Sequence, residues 1–152
     1  MIEKMVKVDC DQAFACKASF PTNAGVTFEE AFGATASACY ADGAEYYDAP
    51  AIQAAITAGK IDFDASAASA CISGLSSLAA PTCSTYWNEG PAYPNACGGV
   101  FTGKVADGAA CTTDFECANP ASYCEGTCTA DTQRIARVDG IVTRPKLQLL
   151  AR

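Results

Sequence analysis

CTTDFECANPASYCEGTC, residues 111–128, places four cysteines in eighteen positions and contains no Val, Ile, Leu or Met. So short a run without large aliphatic side chains cannot bury a core of its own. Its spacing, Cys111-x5-Cys117-x6-Cys124-x3-Cys128, suits a small disulfide knot. Just upstream, Val100-Phe101-Thr102-Gly103-Lys104-Val105 has the composition of a short strand, and Asp107-Gly108 is a turn signal.

Six further cysteines, Cys10, Cys16, Cys39, Cys71, Cys83 and Cys97, lie outside this knot. If the four pair among themselves and the six do likewise, about 45 connectivities remain open. Of 152 residues, 31 are alanine, and the only leucines before residue 129 are Leu75 and Leu78. Burial contributes about 25 cal/mol per Å², so an alanine-rich core stabilises little. Disulfides at roughly 2–4 kcal/mol each, against a net stability of about 5–15 kcal/mol, then decide whether the chain folds. All ten cysteines are therefore expected to be paired and structural. Such bonds persist in oxidising settings, which implies an extracellular, periplasmic or cell-surface protein. Structural zinc usually draws on C-x2-C pairs, and the tightest spacing here is Cys124-x3-Cys128, so neither a metal nor another cofactor is expected.

The fold class read from the rest of the chain is mainly α with a small disulfide-rich β module, the body having about four short crosslinked helices. Residues 2–17 carry apolar side chains at helical spacing, ending at Phe20-Pro21. Within that helix Cys10 and Cys16, at about 100° per residue, point some 120° apart and can tie it to two different neighbours. Thr27-Phe28-Glu29-Glu30 is a capping-box pattern opening a second helix to about Cys39. Asp48-Ala49-Pro50 supplies an N-cap and a first-turn proline for a third, which Gly59 ends. Asp64 caps a fourth, with the stripe Ala68, Cys71, Ile72, Leu75 and Leu78 and a stop at Pro81. Residues 83–97, with Tyr86, Trp87, Gly90, Pro91, Tyr93 and Pro94, read as an aromatic loop. The expected organisation is a helical body at 1–96, a disulfide-rich module at 97–130 and a basic tail at 131–152.

Charge sets that tail apart. Residues 1–128 hold fifteen acidic residues, five lysines and no arginine, while Arg134, Arg137, Arg144, Lys146 and Arg152 all follow. The basic character already changes after Cys128, so the tail is read either as foreign to the body, disordered or non-native, or as a basic arm that docks on it. An acidic body lacks the basic face that nucleic acid requires. No segment approaches the roughly 20 apolar residues of a membrane span. The chain opens on a charged amphipathic stretch without the apolar run of a signal peptide, so an export signal is expected outside this sequence.

The run Cys97-x3-Phe101-x-Gly103-x-Val105-x-Asp107-Gly108-x2-Cys111, then Phe115-Glu116-Cys117 and Tyr123-Cys124, resembles a group of uncharacterised cysteine-rich exported proteins and lipoproteins of the myxobacteria. Upstream, Ala58-Gly59-Lys60-Ile61-Asp62-Phe63-Asp64 and Ala70-Cys71 extend the resemblance, which covers roughly residues 5–128. The cysteine spacing from 111 to 128 is also similar to the disulfide modules of Dickkopf and colipase. The resemblance implies location and architecture; the group carries no established activity to transfer.

Histidine is absent, which removes Ser-His-Asp and Cys-His catalysis and the usual neutral-pH base. Carboxylate neighbours remain: Asp62 with Asp64, Glu29 with Glu30, and Asp9 with Asp11. They read more simply as caps and solvated charge than as acid/base pairs. No EF-hand series is present. The aromatic residues Tyr86, Trp87 and Tyr93, with Tyr46 and Tyr47, are the candidate ligand-binding set, able to stack on sugars or anchor a protein partner. The simpler reading is that they fill a core poor in large side chains. These observations together lead to an expected function: a monomeric, non-enzymatic exported protein, structural or interacting with a protein or glycan of the bacterial envelope or its surroundings. The alternatives are a secreted carboxylate-dependent hydrolase and a small secreted inhibitor or effector.

Overall fold

The computed structural model describes residues 1–22 and 24–130. The basic tail expected at 131–152 lies outside the described residues. Thr129 and Ala130, however, belong to the folded chain: they pair with Tyr123 and Ser122 in a β-hairpin. The chain forms two compact units. Among the described residues one comprises Met1–Tyr47 and Ile72–Pro94, the other Asp48–Cys71 and 95–130. A division at 96/97 would be contiguous in sequence. Instead the Cys71–Cys97 disulfide and a strand pairing bring Asp48–Cys71 together with the cysteine-rich segment.

The first unit is helical. Helix α1 (Ile2–Ala15) carries Cys10, and Cys16 is its C-cap. As their divergence around the helix predicts, they bond to different neighbours: Cys10 to Cys39 and Cys16 to Cys83. The capping box forms as expected. Thr27 N donates to Glu30 Oε2 at 2.7 Å and Glu30 N to Thr27 Oγ1 at 3.2 Å. The helix it opens is nevertheless short. Helix α2 (Phe28–Phe32) stops at Gly33, whose φ of +81° a side chain rarely adopts and where a Cβ would meet the Ala38 Cβ at 3.0 Å. Helix α3 (Ala36–Tyr47) then starts afresh, with Thr35 Oγ1 accepting from Ala38 N. The expected single helix to Cys39 is thus two, because glycine here changes chain direction.

In the second unit Asp48 caps α4 (Ala49–Thr57) through Ala51 N at 3.0 Å. Strand β1 (Ile61–Phe63) leads to Asp64, which accepts from Ser66 N and Ala67 N and so starts α5 (Ala65–Leu75), of which residues 65–71 belong to this unit. That helix buries Ala68, Cys71 and Leu75 and ends there, short of Pro81. In the first unit, the expected aromatic loop contains helix α6 (Cys83–Glu89), followed by Gly90 at φ +74°. The Gly and Pro signals at its end masked a helix of only seven residues.

Strand β2 (Phe101–Gly103) lies inside the predicted 100–105 segment and pairs antiparallel with β1. Strands β3 (Ser122–Cys124) and β4 (Cys128–Ala130) form the hairpin of the knot. Its cysteines pair among themselves, Cys111 with Cys124 and Cys117 with Cys128. Gly103 permits the close approach of β2 to the knot: a Cβ there would lie 2.3 Å from the carbonyl oxygen of Cys117.

Loop-closure entropy ranks the crosslinks. The Cys16–Cys83 bond spans 67 residues and Cys117–Cys128 spans 11, corresponding to about 4 and about 3 kcal/mol respectively. Replacing Cys16 and Cys83 together by Ala is expected to lower the unfolding free energy by about 4 kcal/mol, the largest loss among the five paired deletions, as read from urea midpoints. A smaller loss there than for Cys117 with Cys128 would overturn the ranking. Gly103→Ala is expected to destabilise by more than 1 kcal/mol, roughly the low end of an overpacking cost.

Candidate functional site

The aromatic residues singled out above separate sharply once folded. Tyr86 and Trp87 are buried. The Tyr86 hydroxyl donates to the carbonyl and the Oδ1 of Asp9, and Trp87 Nε1 donates to Ser19 Oγ. Trp87 packs edge-on to Phe20 and close to Phe28 and Phe32, which stack on each other at 5.1 Å. Tyr93 is half-buried and donates to the Met5 carbonyl at 3.2 Å. Tyr47 is buried edge-on to Tyr46. A displayed binding loop at residues 86–93 is therefore corrected: Tyr86 and Trp87 are the plug of an alanine-rich core, with both polar tips satisfied internally, and cannot stack on a ligand as folded. Of the set, Tyr46 is the most open, at 37% exposure.

A site the sequence reading did not single out lies in the second unit. Strand alternation puts Ile61 and Phe63 on one side of β1 and Asp62 on the other. Ile61 is buried, while Phe63 emerges at 46% exposure, the most open large apolar side chain among the described residues. The register places Phe63 opposite Phe101, with ring centroids 5.8 Å apart, and Phe101 meets Phe115 at 5.3 Å. Three phenylalanines from two strands and the 3-10 turn Asp114–Glu116 thus form one row, its far end open to solvent. The alternation of Ile-Asp-Phe was the available signal. Three residues are too few for that alternation to stand out beside the Asp64 helix cap.

The row rests on a clamp. Lys60 Nζ meets Glu116 Oε2 at 2.8 Å, and the Glu116 side chain is only 2% exposed. Beside it, Asp62 pairs with Lys104 at 3.0 Å on the surface. Lower in the knot, Asp107 accepts from Ser122 Oγ and Asn119 Nδ2, and Asp114 Oδ1 from Cys124 N.

The carboxylate pairs are occupied with structural work. Asp62 and Asp64 serve a salt bridge and a helix cap. Glu29 pairs with Lys17 at 2.6 Å and Glu30 closes the capping box. Asp11 meets Lys7 and accepts from the Tyr40 hydroxyl, while Asp9 is buried against Tyr86. The Lys17 ammonium holds Glu29 below the usual carboxylate range. The Thr27 amide and then its hydroxyl do the same for Glu30, and the Ser122 and Asn119 bonds do so for Asp107. Burial pushes Asp11 upward, but the bonds from Lys7 and Tyr40 outweigh it and leave it lowered. A carboxyl held below its ordinary value is poised as an anion rather than as a proton donor at neutral pH.

Compared with protein-family models, with curated proteins and with solved structures, the chain matches none.

Two outcomes test this geometry. Lys60→Ala leaves the buried Glu116 carboxylate unpaired and is expected to cost about 3 kcal/mol, whereas Lys104→Ala breaks only a surface pair and should cost less than about 1 kcal/mol. Equal losses in chemical denaturation would mean that Glu116 is solvated. The second concerns acid. Because the folded-state values of Asp11, Glu29, Glu30 and Asp107 are lowered, their stabilisation is complete above the unfolded carboxylate range. It is lost as pH falls through the folded values, below about pH 4. Glu30→Gln should flatten that acid limb in melts between about pH 7 and about pH 3; a limb unchanged in slope would remove Glu30 from it.

Proposed function

We propose that the chain is an exported, disulfide-stabilised structural or interaction protein of a bacterial cell envelope or secretome. The observation that carries this reading is the complete pairing of its ten cysteines in five disulfides. Bonds of this kind accumulate in oxidising compartments, and small domains with thin cores use them in place of apolar area. No helix among the described residues is long and apolar enough to cross a membrane. The resemblance to exported myxobacterial proteins points the same way. Within this reading the contact surface is the Phe63–Phe101–Phe115 row, since an exposed aromatic beside two supporting rings gives a partner protein or glycan area to cover.

Protein made through an oxidising export pathway, alkylated without reduction, is expected to gain no mass, each of the ten cysteines being protected. Several labelled thiols in a folded, monodisperse sample would overturn the assignment of compartment. Pull-downs from envelope extracts address the surface. Phe63→Ser should lose a partner that Tyr46→Ser retains, and capture indifferent to Phe63 would move the contact elsewhere.

A further inference from the structure

Both outer phenylalanines of the row sit between carboxylates: Asp62-Phe63-Asp64 along β1 and just past its end, and Asp114-Phe115-Glu116 in the 3-10 turn. Two lysines answer them, Lys104 at Asp62 and Lys60 at Glu116. Asp64 accepts from the amides of Ser66 and Ala67, and Asp114 from that of Cys124. Four carboxylates against two ammoniums leave the surroundings of the row acidic. An occupant suited to it has aliphatic side chains for the rings and cationic ones for the rim.

The chain itself contains such a segment. Residues 131–152, outside the described residues, include seven Ile, Val or Leu in 22 positions, whereas the 130 residues before them hold twelve. Arg144-Pro145-Lys146-Leu147-Gln148-Leu149-Leu150 places three leucines directly after two cations, and the proline biases Arg144 toward extended backbone. Attachment favours this segment over a free competitor. Ala130 closes β4, which pairs with β3, and Cys124 at the end of β3 donates its amide at 2.7 Å to Asp114 beside Phe115. The segment thus leaves from the hairpin that is bonded to the row's own turn. Leu147 lies 17 positions after Ala130, enough extended chain for about 55 Å, against a radius of gyration of about 10 Å for a unit of this size. Such a tether gives an effective concentration on the order of millimolar.

We propose that residues 144–150 are the occupant of the row: Leu147, Leu149 and Leu150 cover Phe63 where it opens to solvent, and Arg144 and Lys146 meet Asp64 and Asp114. The chain closes its own contact surface, and an outside partner gains Phe63 only by displacing the leucines. The docking rests on the row as the contact surface proposed above and is independent of the compartment.

The test uses the full, oxidised chain carrying Phe63→benzoylphenylalanine, illuminated, digested and mapped by mass spectrometry. The expected crosslink stays within one chain and joins position 63 to residues 147–152, while Tyr46→benzoylphenylalanine should not reach that peptide. Adding Leu147→Ser, Leu149→Ser and Leu150→Ser together should cut the crosslink at least about tenfold. The segment carries no cysteine, so these changes leave the disulfides intact, as alkylation without mass gain would verify. Limiting trypsin reads the same contact without a probe: Phe63→Ser should speed cleavage after Lys146 about tenfold, and Tyr46→Ser should leave it unchanged. Crosslinks from position 63 confined to residues 1–130 or to a second chain, an equal yield from position 46, or cleavage indifferent to Phe63 would overturn the docking. If envelope pull-downs still depend on Phe63 in that event, the row stands as a contact surface and only its occupant is wrong; if they too are indifferent, the row itself fails.

Discussion

Helix α1 is bonded at Cys10 to α3 and at Cys16 to α6, and the first unit depends on those two crosslinks. Its remaining cohesion comes from the rings around Phe28 and Trp87, from Met5, Val6 and Leu75, and from alanines that bury little area each. Such a core cannot supply several kilocalories in reserve. The second unit meets the same shortage differently. One disulfide anchors α5 to the segment before β2, the Lys60–Glu116 pair, buried on its Glu116 side, fixes the edge of the knot, and two neighbouring disulfides with Val105 against them stand in for a larger core.

Local signals in the sequence were legible where one or two side chains decide the backbone. The caps at Thr27, Asp48 and Asp64 formed as read, because a short polar side chain satisfies amides within three residues and needs no distant partner. The two-direction anchoring of α1 followed from helical geometry alone. The break at Gly33 is not announced by periodicity, since a single glycine between apolar residues leaves the helical pattern unbroken. Helix α6 was lost among the Gly and Pro residues that follow it. Pairings distant in sequence, β1 with β2 and Cys71 with Cys97, had no local signature, so the extent of each compact unit could not be read along the chain.

The candidate site shows the same division. Tyr86 and Trp87 drew attention as large aromatics in a loop-like stretch, yet in a chain this poor in leucine such side chains are claimed first by the interior. Their polar tips found Asp9 and Ser19 there. The phenylalanine that remains outside, Phe63, is part of a three-residue strand too short to announce itself. Whether an aromatic is contact surface or core depends here on what else is available to fill the interior.

The Cys16–Cys83 bond has a consequence for synthesis. Cys83 emerges 67 residues after Cys16, and Cys39, the partner of Cys10, emerges between them. A chain oxidised from its N-terminus as it appears meets Cys10 with Cys16, and then Cys16 with Cys39, before any native partner of Cys16 exists. The native map therefore disfavours strictly vectorial oxidation: it calls for Cys16 to wait as a thiol, or for a disulfide isomerase to undo its first choice.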